Sequence, residues 1–91
     1  MNMNANIIIL EDTTFGEKPI WLAKFDNGFG TTPNRQDAFI CQDEDVEKYI
    51  KVAENIEKQK MKLAGFKFDG RRVSSESVIV LENELGMKQI I

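Results

Sequence analysis

Ninety-one residues are enough for one small domain with a single thin core, but too few for a deep cleft. A hydrophobic content of 42% and a charged content of 30% are ordinary for a folded domain and exclude disorder throughout. A net charge of −3 argues against a protein held on nucleic acid by overall positive charge, and a single cysteine excludes a scaffold of internal disulfides.

The first part of the chain predicts two strands separated by a turn. Residues 1–5 are interpreted as a flexible leader without the basic segment and long apolar run of a signal peptide, so we expect a cytoplasmic protein with no membrane contact. The β-branched run at Asn6–Leu10 predicts a strand. A second strand is predicted at residues 19–26, where both faces are mostly apolar, which indicates a central strand or a face that meets something else.

The segment FDNGFGTT, residues 25–32, suits either a hairpin or a phosphate-binding loop. Asn27-Gly28 favours a type I′ turn with positive φ at both central residues, and Gly30 suits a bulge or a close approach of the backbone. A phosphate loop requires a helix directly afterwards and a Gly-Lys-Ser/Thr ending, whereas TTPNRQ follows here. The sequence therefore predicts a hairpin.

One long helix is predicted at residues 43–64, after a short strand or extended segment at residues 37–42. Its apolar stripe consists of Val46, Tyr49, Ile50, Ala53, Ile56 and Leu63. Acidic side chains at its start and lysines at its end complement the helix dipole, and Gly65 suits the position after its last turn. Three pairs of opposite charge are four residues apart in the favourable order: Glu44 and Lys48, Glu47 and Lys51, Glu54 and Lys58.

Two further strands are predicted at residues 66–68 and 76–82, and residues 87–91 could add a short last one. The resulting order, β-β-β-α-β-β, predicts one α+β domain over residues 1–91. It would be a two-layer domain in which the long helix packs across an antiparallel sheet of about four to five strands.

We predict no catalytic residue, no cofactor and no metal site. No histidine is present to activate Cys41 or a serine, and the apolar neighbours of Cys41 indicate a core position. The acidic run at residues 43–45 lacks the alternating ligands and closing glutamate of a calcium loop, so it is interpreted as a helix start. We therefore expect a protein that is not an enzyme.

The uneven distribution of charge predicts an acidic surface. Residues 1–47 carry nine acidic and three basic side chains, whereas residues 48–72 carry eight basic and three acidic ones. The acidic surface would bind a basic patch on a partner protein, with Phe29 or Phe39 as the apolar anchor. Its predicted residues are Arg35, Asp37, Asp43, Glu44, Asp45 and Glu47.

Two alternatives remain open from the sequence. The basic segment 58–72 could contact nucleic acid, because its cations alternate with aromatic residues. Its predicted contacts are Lys58, Lys62, Lys67, Arg71 and Arg72. The other alternative is a structural module that self-assembles, for instance as a homodimer, through a free strand edge or the two-sided strand at residues 19–26.

Residues 18–52, KPIWLAKFDNGFGTTPNRQDAFICQDEDVEKYIKV, contain an aromatic strand that ends in a D-x-G turn. A loop with Pro, Asn and Asp, an apolar segment and an acid-started helix follow. This pattern resembles small phage and prophage accessory proteins that inhibit host enzymes, anti-CRISPR proteins among them. The resemblance implies an inhibitor or modulator that binds a host protein stoichiometrically in the host cytoplasm, with a nucleic-acid-processing enzyme or CRISPR effector as a possible target. It carries over no catalytic residue.

Overall fold

Five strands and one long helix form the fold in the computed structural model, which describes residues 2–64 and 70–91, with only the backbone at Leu63 and Ala64. The strands are β1 (Asn2–Glu11), β2 (Ile20–Phe25), β3 (Gly28–Thr32), β4 (Arg72–Glu82) and β5 (Lys88–Ile90), and the helix is α1 (Val46–Ala64). Short 3₁₀ helices lie at Arg35–Asp37 and Asp43–Asp45. The sheet is antiparallel in the order β3-β2-β1-β4-β5, so the α+β prediction is confirmed.

Strand β1 is the centre of the sheet, and it begins earlier than the sequence suggests. It pairs with β4 along its whole length, from Asn2 opposite Leu81 to Glu11 opposite Arg72. The prediction of a flexible leader at residues 1–5 is therefore wrong for residues 2–5. Pairing with β4 holds them in place, and Ala5 is buried in the core.

Strands β1 and β2 pair only at Ile9 with Trp21 and at Leu10 with Ile20, and they separate beyond these pairs. Residues 38–41 lie in the gap. The N–H of Phe39 donates to the carbonyl oxygen of Leu22 at 2.8 Å, and Cys41 exchanges two backbone hydrogen bonds of 2.9 Å with Asn6. Asp37 ends the 3₁₀ helix, and residues 38–42 form an extended segment with a single β-bridge between Asn6 and Cys41. The extended alternative predicted for residues 37–42 therefore holds for residues 38–42.

The third strand is β3, which forms a hairpin with β2. Phe25 is opposite Gly28, so Asp26 and Asn27 are the turn residues, and neither has a positive φ. The predicted type I′ turn at Asn27-Gly28 is therefore wrong, although the hairpin is confirmed. The register shows no bulge at Gly30, and the close approach there is that of a side chain, because a Cβ would lie 2.9 Å from Cε2 of Phe25. A strand and no helix follows the turn, which excludes phosphate-loop geometry.

The sheet buries apolar side chains on both faces. On one face α1 covers Ile8, Leu10 and Leu22 with the predicted stripe, from Val46 through Ala53 to Ile56. On the other face Ile7, Val78 and Val80 pack with Trp21 and with residues of the 38–41 segment. Strand β5 reaches the 3₁₀ helix at Arg35–Asp37, so the sheet curls around this second cluster. Strand β2 is apolar on both faces because it contributes Trp21 to one core and Leu22 to the other.

Residues 70–91 contribute the last two strands of the sheet. The predicted strand at residues 66–68 and the predicted helix end at Gly65 lie outside the described residues. Strand β4 includes the predicted strand at residues 76–82 but begins four positions earlier, at Arg72. The short last strand is confirmed as β5.

Candidate protein-binding surface

The predicted acidic residues lie where α1 begins. Asp43, Glu44 and Asp45 form the 3₁₀ helix that leads directly into α1, and Glu47 is in the first turn of α1. All four are exposed. The partial positive charge at a helix N-terminus stabilises carboxylates at these positions, which lets several acidic side chains share a small area.

Asp43 also joins this helix start to the sheet through Asn6. The side-chain amide of Asn6 donates to Oδ1 of Asp43 at 2.5 Å, and its oxygen accepts a 3.4 Å hydrogen bond from the hydroxyl of Ser77. Asn6 is 5% exposed, and its backbone pairs with Cys41. The Asn6 contacts therefore fix the position of the helix start relative to β1 and β4.

The remaining acids of the helix start are without basic partners among the described residues. None of the three i,i+4 pairs, Glu44 with Lys48, Glu47 with Lys51 and Glu54 with Lys58, forms a salt bridge. Nζ of Lys48 lies 5.3 Å from the ring centroid of Tyr49. Glu44, Asp45 and Glu47 thus present uncompensated negative charge on a rigid element.

Arg35 contacts other parts of the fold, and its role as a binding residue stays a prediction. Its guanidinium donates to Glu76 at 3.0 Å and to the carbonyl oxygen of Ile91 at 3.3 Å. These contacts join the 3₁₀ helix at Arg35–Asp37 to β4 and to the end of β5. Asp37 is exposed and forms no described salt bridge.

Phe29 and Phe39 are packing residues. Their rings form an edge-to-face pair with centroids 5.1 Å apart, and both contact Tyr49 of α1. Nζ of Lys24 lies 4.6 Å from the Phe29 centroid. Since both rings are half-buried in the core beneath α1, the prediction of either as a free apolar anchor is not supported by their positions.

An exposed apolar part of the sheet, which was not predicted from the sequence, is better placed to contact a partner. Helix α1 covers the side of the sheet that carries Ile8 and Leu10, but it leaves the other end of this side open. There Ile79 is 44% and Ile91 58% exposed, and the N–H of Ile91 donates to the carbonyl oxygen of Ile79 at 2.9 Å. We call this region the uncovered face; its residues are Asn2, Asn4, Ile79, Leu81, Gln89 and Ile91.

The predicted nucleic-acid contacts are not all available. Arg71 holds the β1–β2 loop, because it donates to the carbonyl oxygen of Lys18 at 3.0 Å, to that of Leu10 at 3.4 Å and to Glu17 at 3.3 Å. Its side chain is only 13% exposed. Arg72 is exposed on β4, and Lys67 lies outside the described residues.

Lys58 and Lys62 line an open groove of about 580 Å³ along α1, together with Asn55, Gln59 and Met61. These residues recur every three to four positions, so they lie on one side of the helix. Two cations with two amides at a groove are suited to an anionic backbone, and this is the part of the basic segment that keeps the nucleic-acid alternative open.

Cys41 is a free cysteine that lies buried in the core. Burial raises the pKa of its thiol, and the negative charges of Asp45 and Asp43 raise that pKa further. The thiol therefore stays protonated and unreactive at neutral pH. Within the described ranges no cluster of three or more Cys, Asp or Glu side chains is placed to hold a metal ion.

Among residues 2–64 and 70–91, no helix combines the length and the apolar character that crossing a membrane requires. Comparison of the chain with models of protein families, with curated proteins and with solved structures gave no match.

Proposed function

We propose that this protein is a non-catalytic binding module whose acidic helix start engages a basic surface of a partner protein. The observation that carries the proposal is the exposure of Glu44, Asp45 and Glu47 on a fixed helix start, with no ion pair to any described residue. Charges placed in this way accelerate encounter with an oppositely charged surface and set its orientation.

The partner's chemistry follows from that of the surface. A basic groove or patch, such as a nucleic-acid-processing enzyme carries, matches a compact group of carboxylates. In line with the resemblance of residues 18–52, we propose a phage-related inhibitor or modulator that occupies such a surface on a host protein, in the host cytoplasm, with a CRISPR effector as one possible target. Stoichiometric binding requires no cofactor.

The proposal is tested by affinity capture from nuclease-treated bacterial lysate with the tagged protein. The test variant combines Glu44→Gln, Asp45→Asn and Glu47→Gln. It retains Asp43 because the carboxylate of Asp43 accepts the hydrogen bond from the side-chain amide of Asn6. The control combines Glu54→Gln, Asp26→Asn and Glu84→Gln, three exposed acids elsewhere in the chain. Both variants change the net charge equally.

We expect the wild type and the control variant to retain the same partner in equimolar amount and the test variant to lose it. Equal retention by all three proteins, or no retained partner, would contradict the proposal.

A second candidate function is nucleic-acid binding along the groove lined by Lys58 and Lys62. It predicts that affinity for single-stranded DNA falls steeply as salt rises and that the double substitution Lys58→Ala, Lys62→Ala removes it. Capture that disappears after nuclease treatment would favour this candidate over the protein-binding proposal.

A further inference from the structure

The two edges of the sheet differ in whether their backbone groups have partners. At the β5 edge the side chain of Gln36 donates to the carbonyl oxygen of Ile90 and accepts from its N–H, both at 2.8 Å. Gln36 thus occupies the position that an added strand would take. The other edge strand is β3, and no residue among 2–64 and 70–91 closes its edge in this way.

The open backbone groups of β3 belong to Phe29 and Thr31. Phe25 and Gly28 close the turn of the hairpin as a hydrogen-bonded pair, and in an antiparallel hairpin such pairs recur at every second position. The N–H and C=O groups of Phe29 and Thr31 lie between these pairs and point away from β2. No described residue forms a hydrogen bond with them. The edge therefore presents donors and acceptors at the spacing of a strand.

We propose that this edge binds an extended acidic segment of a partner protein, which adds to the sheet beside β3 in the antiparallel sense. Residues i and i+2 of the segment would each exchange two backbone hydrogen bonds, one with Thr31 and the other with Phe29. Side chains opposite one another in a strand pair lie on the same face. Both would lie on the side of α1, because the Phe29 ring contacts Tyr49 and Thr31 bonds to Lys60.

Two lysines at this edge select an acidic segment. Nζ of Lys24 lies 4.6 Å from the ring centroid of Phe29, and Nζ of Lys60 donates to Oγ1 of Thr31 at 3.0 Å. Both lysines are exposed, and neither forms a salt bridge with a described acid. The one acid within residues 20–32 is Asp26, in the turn. A cation thus lies beside each of the two pairing positions, so the segment that fits carries glutamates two residues apart.

The same features distinguish this segment from a second copy of the chain and from nucleic acid. Two-fold pairing of β3 with itself places Phe29 of one copy opposite Thr31 of the other, which brings Lys24 beside Lys60 and makes like charges meet. Phosphate groups accept hydrogen bonds but donate none, so the carbonyl oxygens of Phe29 and Thr31 would lose solvent without gaining a donor. An extended peptide supplies both donors and acceptors. The site is separate from the acidic helix start, which would bind a basic surface.

The test is an NMR titration of the isotope-labelled full chain with the peptide acetyl-SVEVEVS-amide, to about 5 mM peptide at about 50 mM salt. We expect the amide resonances of Phe29 and Thr31 to shift and their hydrogen exchange to slow, because both N–H groups gain acceptors. The same peptide with glutamine in place of both glutamates should bind about 3- to 30-fold more weakly, since two exposed charge pairs are lost.

The variant that combines Lys24→Gln and Lys60→Gln should weaken binding of the acidic peptide by a similar factor and should bind the two peptides almost equally. Its matched control combines Lys58→Gln and Lys62→Gln, two exposed lysines of the groove along α1, and should keep the wild-type Kd. The amide spectra of both variants will show that the fold is retained.

Three results would overturn the proposal. The first is that the amides of Phe29 and Thr31 do not respond to the acidic peptide. The second is that the two lysine variants bind it equally well. The third is that these amides respond instead to protein concentration alone, which would indicate a second copy, or to oligo-dT at lower concentration than to the peptide, which would indicate nucleic acid.

Discussion

Asn6 lies where the helix-covered part of the sheet meets the uncovered face. Its amide binds Asp43, which is 37 residues away, and Ser77, which is 71 residues away. In the sequence it is one polar residue at the start of an apolar run, so its role depends on partners that no local pattern indicates. The acidic helix start has a fixed orientation because Asn6 holds it.

Replacing Asn6 by Ala should reduce the free energy of unfolding by about 1–3 kcal/mol, because Asp43 and Ser77 would lose their buried partner. The measurement is urea denaturation followed by the fluorescence of Trp21. Asn4→Ala, two positions away on the same side of β1 but exposed, should change it by less than about 0.5 kcal/mol. Equal losses for the two variants would refute the assigned role of Asn6.

Asp12 predicts a dependence of the β1–β2 loop on pH. Hydrogen bonds from the backbone N–H groups of Phe15, Thr14 and Glu17 lower the pKa of its carboxyl group below 3.8, with a further contribution from the charge of Arg71, while partial desolvation opposes the shift. Because the folded pKa is depressed, the carboxylate stabilises the loop above the ordinary Asp pKa, and this stabilisation is lost as pH falls through the folded value.

The backbone amide resonances of Phe15 and Glu17 in NMR spectra should therefore shift together at pH values below 3.8. In Asp12→Asn, which cannot ionise, this titration should be absent. A titration that persists in the variant would assign it to another group.

At the scale of elements, α1, the hairpin and the last strand could be predicted from the sequence, since periodicity and turn residues are local signals. Residues 38–41 could not be assigned in the same way. They are apolar and extended like a strand, but their pairing is decided by the gap that opens where β1 and β2 separate. Residues 2–5 cannot be recognised as a strand from the sequence, because their alternation of Asn with apolar residues defines two faces only when they pair with β4.

Arg71 illustrates the same limit for the candidate sites. Its position in a basic segment suggested nucleic-acid contact, whereas in the fold it holds the β1–β2 loop through the carbonyl oxygens of Leu10 and Lys18. Arg71→Ala should lower the free energy of unfolding by about 2 kcal/mol, since charged hydrogen bonds to a part-buried group are lost. Urea denaturation will measure it.

The matched control is Arg72→Ala, at the neighbouring exposed position, for which we expect a change of less than about 0.5 kcal/mol. If both arginine variants unfold at the wild-type urea concentration, Arg71 does not stabilise the fold, and its predicted contact with nucleic acid would stand.

At the scale of the whole molecule, the domain presents two chemically different surfaces. The acidic helix start carries uncompensated charge suited to a basic partner, whereas the uncovered face carries no charged side chain. The charge of the first surface could be predicted from the sequence, because four acids lie within five residues at Asp43–Glu47. The second required the sheet register, which places Ile79 beside Ile91 and beyond the reach of α1.

The most direct test of the central claim is the affinity of the captured partner for this protein as a function of salt. With the wild type, affinity should fall as salt rises. The variant with Glu44→Gln, Asp45→Asn and Glu47→Gln should bind about 3- to 100-fold more weakly at low salt, because three exposed charge pairs are lost, and with a smaller salt dependence. If that variant binds with the wild-type affinity at every salt concentration, the acidic helix start is not the binding surface.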